Sequence, residues 1–507
     1  MQKSHKHIFL LIIGTLIVFF GFNSQFFSAD DWFHLRISQI SSTEEFVNFF
    51  RFSETAQQAS FYRPIPTQLF FFIFSSLFGL NSAPYYYFVF LSHILLVVLV
   101  YRLLRQTLKK KQTTIASIVF TFSHTHFTRL YFLSAFQETV MTIFVVLFLS
   151  CFLLEGKKRD WLGLFFYILA LMSKETAIIA PLLLVLVWLI REQKPLNIKN
   201  LRKTLSKQLR ARKNSLIAII SISIIYLILR FGVFSFSHTQ SDYHWSWHPK
   251  QIISTARWYL IWAIGLPETI VNYMPHMISI NPKFFTDFSN KAYAAIALAL
   301  SSFLLYSTVI SNHIIMRLKS KVAQAHNNKV IIPGLIWFFF TLGPLLLLPT
   351  HLFALEMTLP MIGFSLLVSS LLITQPKIIR LGFLAIFILL NCNSVLIAKE
   401  SHYSVVRSQI SQKIHWEFSK IMEGDLPDAI IFVNDTQHVT EAWGSSRQIQ
   451  QALMNDEYFK LIFDQNVPKI IYQDSLKEDQ DIEQVIEELH SQHTNLKIYL
   501  TSEFVKF

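Results

Sequence analysis

Apolar runs close to 20 residues long recur along this chain, separated by short and mostly basic loops. About 20 apolar residues in a helix are what the hydrocarbon core of a bilayer requires. Inside that core each backbone N–H and C=O must be satisfied within its own segment, so such runs must be helices. Eleven are found, near 8–27, 84–104, 113–128, 131–154, 160–174, 176–190, 215–234, 290–311, 330–349, 357–374 and 379–398. Those near 113–128 and 160–174 are short, so their limits are soft. Only 15% of the 507 residues are charged, where a soluble chain carries about 25%. This excludes a soluble enzyme, a disordered chain and a disulfide scaffold. Cys151 and Cys392 both lie inside apolar runs and say nothing about redox compartment. Lys3 and Lys6 precede the first run as they would in a signal peptide. No small-residue cleavage pattern follows, so the run reads as an uncleaved anchor.

The loops give the orientation. Basic residues cluster at Arg102–Lys111, Lys157–Arg159, 191–213, Arg317–Lys329 and Lys377–Arg380. Segment 191–213 holds nine Lys/Arg against Glu192 alone. Positive charge in short loops between spans marks the cytoplasmic side, not a nucleic-acid surface. Apolar stretches 64–80 and 253–272 would put these clusters on opposite sides if they spanned. They read instead as re-entrant or interfacial helices on the outer face. The N-terminus is then cytoplasmic in a multi-pass cell-membrane protein. The outer elements are loop 28–83, region 235–289 and everything after residue 398.

The chain also divides by charge. The net charge is +13, but from Lys399 onward 10 Lys/Arg face 18 Asp/Glu. Residues 1–398 thus form a basic membrane domain, and 399–507 a soluble, acidic extracytoplasmic domain. The latter reads as a small α/β unit. Strands are expected at Ala429–Val433, Lys469–Tyr472 and Leu496–Leu500, and helices at 440–454 and 479–490.

Ser28-Ala-Asp-Asp-Trp-Phe-His34 follows the first span on its outer side. Two adjacent carboxylates at a membrane boundary repel each other and are costly to desolvate. Asp30 and Asp31 are either a helix N-cap and its first turn, or a general base with a partner that holds a hydroxyl or a metal. Arg63, in Phe61-Tyr-Arg-Pro64, is either an interfacial side chain that snorkels or a fork for phosphate oxygens. Ser173-Lys-Glu-Thr176 lies at an outer junction between two spans. It is an interfacial turn, or it lets Lys174 meet a phosphate while Glu175 holds Lys174 or Arg63. Arg129 and Glu138 flank the outer start of the fourth span. His124 and His126 stand two apart, on different helix faces, which supports a metal site only weakly. His351 and Glu356 sit in a short outer loop before Pro360.

It is the order of these motifs that carries a resemblance. Ala29-Asp-Asp-Trp32, Tyr62-Arg-Pro64 and Met172-Ser-Lys-Glu-Thr-Ala177, followed by the late His351…Glu356…Leu359-Pro360 loop, resemble the GT-C superfamily of integral-membrane glycosyltransferases. The likeness is to its protein O-mannosyltransferase-like and aminoarabinose-transferase-like branches and to the tetratricopeptide-containing O-mannosyltransferases. It covers roughly residues 8–375. The tail lacks helical repeats. The resemblance implies an α-helical polytopic GT-C-like fold of about eleven spans. It implies inverting transfer of one sugar from a polyprenyl-phosphate donor to a hydroxyl of a protein, lipid or polymer. Asp30 or Asp31 would be the base; this chain has Asp-Asp where several relatives have Asp-Glu. Arg63, Lys174 and then His351 would stabilise the leaving phosphate. Tyr62, Glu175, Arg129, Glu138 and Glu356 would support them. No metal ligand set is assigned, although two Asp could bind a divalent ion. A transporter or flippase of lipid-linked saccharides, a ligase or polymerase using a pyrophosphate-linked donor, and a non-catalytic scaffold stay open.

Overall fold

The computed structural model describes the whole chain except residues 1, 60, 155, 195–196, 235–243, 275–278, 320, 422–426, 436–444, 464–465, 478–479, 493–494 and 506–507. Each of the eleven apolar runs falls mainly on helix. Among the described residues, seven helices are long and apolar enough to cross a membrane: Lys6–Ser24, Ala83–Thr107, Leu133–Leu153, Ile198–Val233, Lys283–Met316, Lys329–Leu346 and Lys377–Lys420. The other four runs form the shorter helices Lys110–Thr121, Lys157–Leu171, Ala180–Arg191 and Pro360–Leu372. The soft limit at 113–128 has a structural cause. After Lys110–Thr121 the chain breaks into short turns at His124–His126 and Phe127–Tyr131, whose residues are buried in protein. Irregular backbone at such a position is tolerated only when protein covers it.

Two long helices are each interrupted once. Ile198–Val233 leaves helical geometry at Arg212, and Lys283–Lys319 does so at Ser289, φ +44°. The break at Arg212 separates a polar, basic leading segment from the apolar run read in the sequence; the short segment before Ser289 instead buries Phe284 and Phe288. Stretch 64–80 becomes Ile65–Phe78, a short apolar helix. Stretch 253–272 becomes Pro249–Ile264 and the turn Glu268–Tyr273.

The helices run alternately up and down, so successive connections gather at two ends. One end is tied by Gln193 Nε2 donating to the Thr107 carbonyl and Gln112 Nε2 donating to Ser370 Oγ. Arg212 pairs there with Asp160. These contacts lie within or beside the basic segments Arg102–Lys111, Lys157–Arg159 and 191–213. The other end carries Asp30, Arg63, Lys174, Glu268, His351 and Glu356. Packing in between is close. A Cβ on Gly363 would fall 2.6 Å from the Phe338 amide nitrogen and 2.8 Å from Trp337 Cδ1, so Lys321–Leu346 and Pro360–Leu372 approach almost backbone to backbone.

The tail begins with helix Tyr403–Ile421 and forms a three-stranded parallel sheet in the order β2-β1-β3, with β1 Ala429–Val433, β2 Lys469–Tyr472 and β3 Leu496–Leu500. β1 is buried because it is central, flanked by both partners. The expected helices appear as Ser445–Ala452 and Ile482–Gln492; residues 440–444 lie outside the described residues. The tail does not hang free. Trp32, Phe26, Phe27 and Tyr85 share one hydrophobic cluster with Ile430, Phe432, Tyr458 and Phe459. Trp32 meets Tyr458 edge-on at 4.8 Å.

Candidate active site

The two adjacent aspartates point to different places, and the backbone is the reason. Ala29 adopts φ +49° and ψ −128°, a region that L residues seldom occupy and that costs about 1–3 kcal/mol. Its amide is held by the Ala452 carbonyl at 2.7 Å. Immediately before it, the Phe26 amide donates to Ser408 Oγ at 2.7 Å and the Phe26 carbonyl accepts from Tyr86. This held turn starts helix Asp30–Ile37.

Asp31 turns inward and is fully buried. It accepts from the Ser134 amide at 2.8 Å, Ser134 Oγ at 2.5 Å and the Ser28 amide at 3.0 Å. Burial pushes its pKa up to about 7 against those three donors, with Asp30 adding to the rise. Behind it His34 shares Ser134 Oγ at 3.1 Å. Burial and then the Arg63 charge take the His34 pKa down to about 3, so its ring is neutral. Asp30 turns outward and is exposed to solvent. It nonetheless lies in a deep recess, where desolvation raises its pKa above the ordinary 3.8 against the charges of Arg407, Arg63 and His351. The N-cap reading of Asp30 does not hold: the cap position is Ala29, and it is Asp31 that reaches back to Ser28.

Arg63 stands at the start of Ile65–Phe78, where Pro64 fits the first helical positions. Its Nε donates to Glu175 Oε2 at 2.9 Å, its Nη2 to Glu175 Oε1, and its Nη1 to Gln137 at 2.7 Å. Burial works to raise the Glu175 pKa, but Arg63 and then Lys174 bring it down to about 2. Of the two partners considered for Glu175, the structure chooses Arg63. Tyr62 packs away from the recess: its ring stacks on Phe52 at 3.8 Å and its hydroxyl donates to the Phe50 carbonyl.

Lys174 lies deeper. Its Nζ donates to Glu138 and to both oxygens of Glu356, at 2.8 and 2.7 Å. Three contacts use its three hydrogens, and its side chain is 4% exposed. The structure therefore makes it the centre of a buried ion triad, not a cation offered to the recess. Burial would raise the Glu356 pKa; Lys174 and His351 hold it below the ordinary carboxylate range. His351 Nε2 stands 3.4 Å from Glu356 Oε1. A cavity of about 10 Å³ bordered by Glu138, Thr176 and Glu356 adjoins the triad, room for about one water. Arg129 is fully buried and turns elsewhere, to Thr139 Oγ1 at 2.9 Å and His93 Nδ1 at 3.0 Å. His124 binds Asn391 and His126 the Phe120 carbonyl, so the two are not a pair. Among the described residues no group of three or more His, Cys, Asp or Glu gathers as a metal site.

Sequence reasoning missed two groups. Glu268 accepts from Thr128 Oγ1 at 3.0 Å and the Ala354 amide at 3.0 Å, and meets His402 Nε2 at 3.0 Å. This joins the turn after Pro249–Ile264 to the start of the tail. A carboxylate closing an apolar stretch was the available signal. Tyr403 and Arg407 border the recess from helix Tyr403–Ile421, and no local pattern distinguishes them.

Residues 63–226 match the family model of the dolichyl-phosphate-mannose-protein mannosyltransferases. The matched segment contains Arg63, Arg129, Glu138, Lys174 and Glu175. Over that segment, about a third of its length, the chain is similar to this family of membrane glycosyltransferases. No curated protein sequence matches it significantly. A solved structure similar to this chain is the Archaeoglobus fulgidus oligosaccharyltransferase tethered with an acceptor peptide. It aligns at 11% identity and a TM-score of 0.42, over 93% of this chain. This chain spans 64% of the length of that one.

Proposed function

We propose that the protein transfers a single sugar, with inversion, from a polyprenyl-phosphate donor to an acceptor hydroxyl at the outer face of the membrane. The observation that carries this reading is the division of labour between the aspartates. Asp31 is consumed by three hydrogen bonds. Asp30 is the carboxylate open to the recess, and its raised pKa brings it closer to what a base needs near neutral pH. It removes the hydroxyl proton as the oxygen attacks the anomeric carbon. The leaving phosphate gains charge on the opposite face of the sugar, where preorganised cations stabilise it. Arg63, fixed by Glu175 and Gln137, is the cation proposed for that role, with His351 beside Glu356 as a second hydrogen-bonding group. Lys174 acts through Glu356 and not on the phosphate.

The mannosyltransferase family model supports a lipid-phosphate donor by its printed description. An apolar groove of about 440 Å³, lined by Ile179, Ile336, Phe339, Phe340, Gly343 and Pro344, supports lateral entry of a lipid tail, since Ile179 also borders the cavity at Glu138 and Glu356. The positive-inside pattern puts the recess outside, with the segment from residue 399 as an extracytoplasmic α/β domain above it. The acceptor class stays a protein, lipid or polymer hydroxyl. The test is a transfer assay with labelled polyprenyl-phosphate hexoses and a membrane extract as acceptor. Label should leave the lipid with the wild-type protein and stay on it with folded Asp30→Asn. Full transfer by Asp30→Asn would sink the reading. Flipping without transfer in proteoliposomes would replace it with a transporter.

A further inference from the structure

Asp30 lies under the charges of Arg407 and Arg63. Arg63 has its fork engaged by Glu175 and Gln137. Arg407 belongs to the first helix of the tail. That helix lies along the segment that carries the aspartates: Ser408 Oγ holds the Phe26 amide at 2.7 Å, and Ser411 Oγ holds Trp32 Nε1 at 3.0 Å. Tyr403 and Arg407 stand four residues apart, so they share the neighbouring stripe of the helix. The Arg407 guanidinium lies 5.0 Å from the Tyr403 ring centroid and donates to Gln451 Oε1. The next residue, Ala452, accepts from the Ala29 amide at 2.7 Å. Two adjacent tail residues thus set both the arginine and the strained turn before Asp30. Among the charges that oppose burial at Asp30, Arg407 acts most strongly, ahead of Arg63 and His351.

We infer that Arg407 is a ligand of the donor's phosphate, so that the tail contributes directly to the active site. This rests on the transfer reading above. In the step, the acceptor O–H proton passes to an Asp30 carboxylate oxygen and the acceptor oxygen bonds to the anomeric carbon. The bond from that carbon to the phosphate oxygen breaks, and its electron pair stays on the lipid phosphate. No further reactant is needed. A planar guanidinium half-buried against a ring suits two phosphate oxygens at once. The helix of Arg407 packs against the segment that carries Asp30, so a phosphate leaving a sugar held at Asp30 would come under the Arg407 charge. Its charge attracts the carboxylate before the donor binds and the phosphate afterwards.

The test uses the full chain in nanodiscs with polyprenyl phosphate lacking any sugar as the probe, alongside transfer kinetics. Arg407→Gln should weaken polyprenyl-phosphate binding by about tenfold or more, the cost of one lost charge-assisted contact. The donor KM should rise in step, and the acceptor KM should not move. Arg407→Lys should recover part of the affinity. Unchanged affinity and donor KM in Arg407→Gln would overturn the inference, even if the acid limb of the pH profile shifts, because Arg407 would then serve only the carboxylate. If Arg407→Gln does not fold, Arg407→Lys decides: affinity equal to wild type overturns the inference. Asp30→Asn separates the two levels. Its loss of transfer beside an insensitive Arg407→Gln removes this inference alone, whereas its full activity removes the transfer reading.

Discussion

At the residue scale, the backbone at Ala29 decides which of two identical side chains is available for chemistry. Asp30→Asn should lower kcat by about 10² or more, the range that general-base catalysis contributes, with an unchanged melting profile. Asp31→Asn should behave in the opposite way. Its amide would place N–H against N–H at Ser28 or Ser134, an unmade buried hydrogen bond worth about 1–3 kcal/mol. Thermal unfolding in detergent would register this, while the surviving folded fraction keeps transferring. Equal effects of the two changes on kcat would contradict the assignment. The sign of the pH dependence follows from the raised pKa of Asp30. A base must be deprotonated, so kcat/KM falls as pH drops through that raised value. The acid limb should lie above the ordinary 3.8, and a limb at or below it argues against Asp30.

At the element scale, the buried triad Lys174–Glu138–Glu356 joins helix Phe136–Leu153, the turn at Glu175 and the loop before Pro360. Removing only the cation leaves two carboxylates buried together. Lys174→Met should therefore cost about 3–5 kcal/mol, seen as a loss of monodisperse protein. Adding Glu138→Gln and Glu356→Gln to it should restore much of that. A single change with normal stability would mean that water reaches the triad. Gly363→Ala tests the crossing of Lys321–Leu346 with Pro360–Leu372. Its methyl group meets backbone and not a yielding side-chain tip, so the helices must part, at about 1–3 kcal/mol.

At the scale of the whole molecule, the tail and the first outer loop share one core. Deleting residues 403–507 would expose Trp32, Phe26 and Phe27 and free the Ala29 amide. Transfer should vanish, and limited proteolysis should cut within residues 22–37 faster than in the intact chain. Full activity without the tail would contradict both the shared core and any role for Arg407.

The helical membrane class, the positions of its runs and the three tail strands were all legible in the sequence, because each depends on local periodicity. Length and hydropathy alone decide whether a segment satisfies its backbone in lipid. The charged residues worth attention were legible as well, since charge at a membrane boundary is costly without a purpose. Their pairings were not. Lys174 could face a phosphate or a carboxylate on the same local evidence; three separate segments had to meet before Glu138 and Glu356 claimed it. Asp30 and Asp31 are chemically identical until Ala452, more than 400 residues away in the chain, fixes the turn before them. Arg407 sits in a net acidic tail and gains its place only because Ser408 and Ser411 of its helix hold Phe26 and Trp32. Hydropathy is a property of a segment, whereas an electrostatic partner is a property of position in space, and only tertiary structure assigns it.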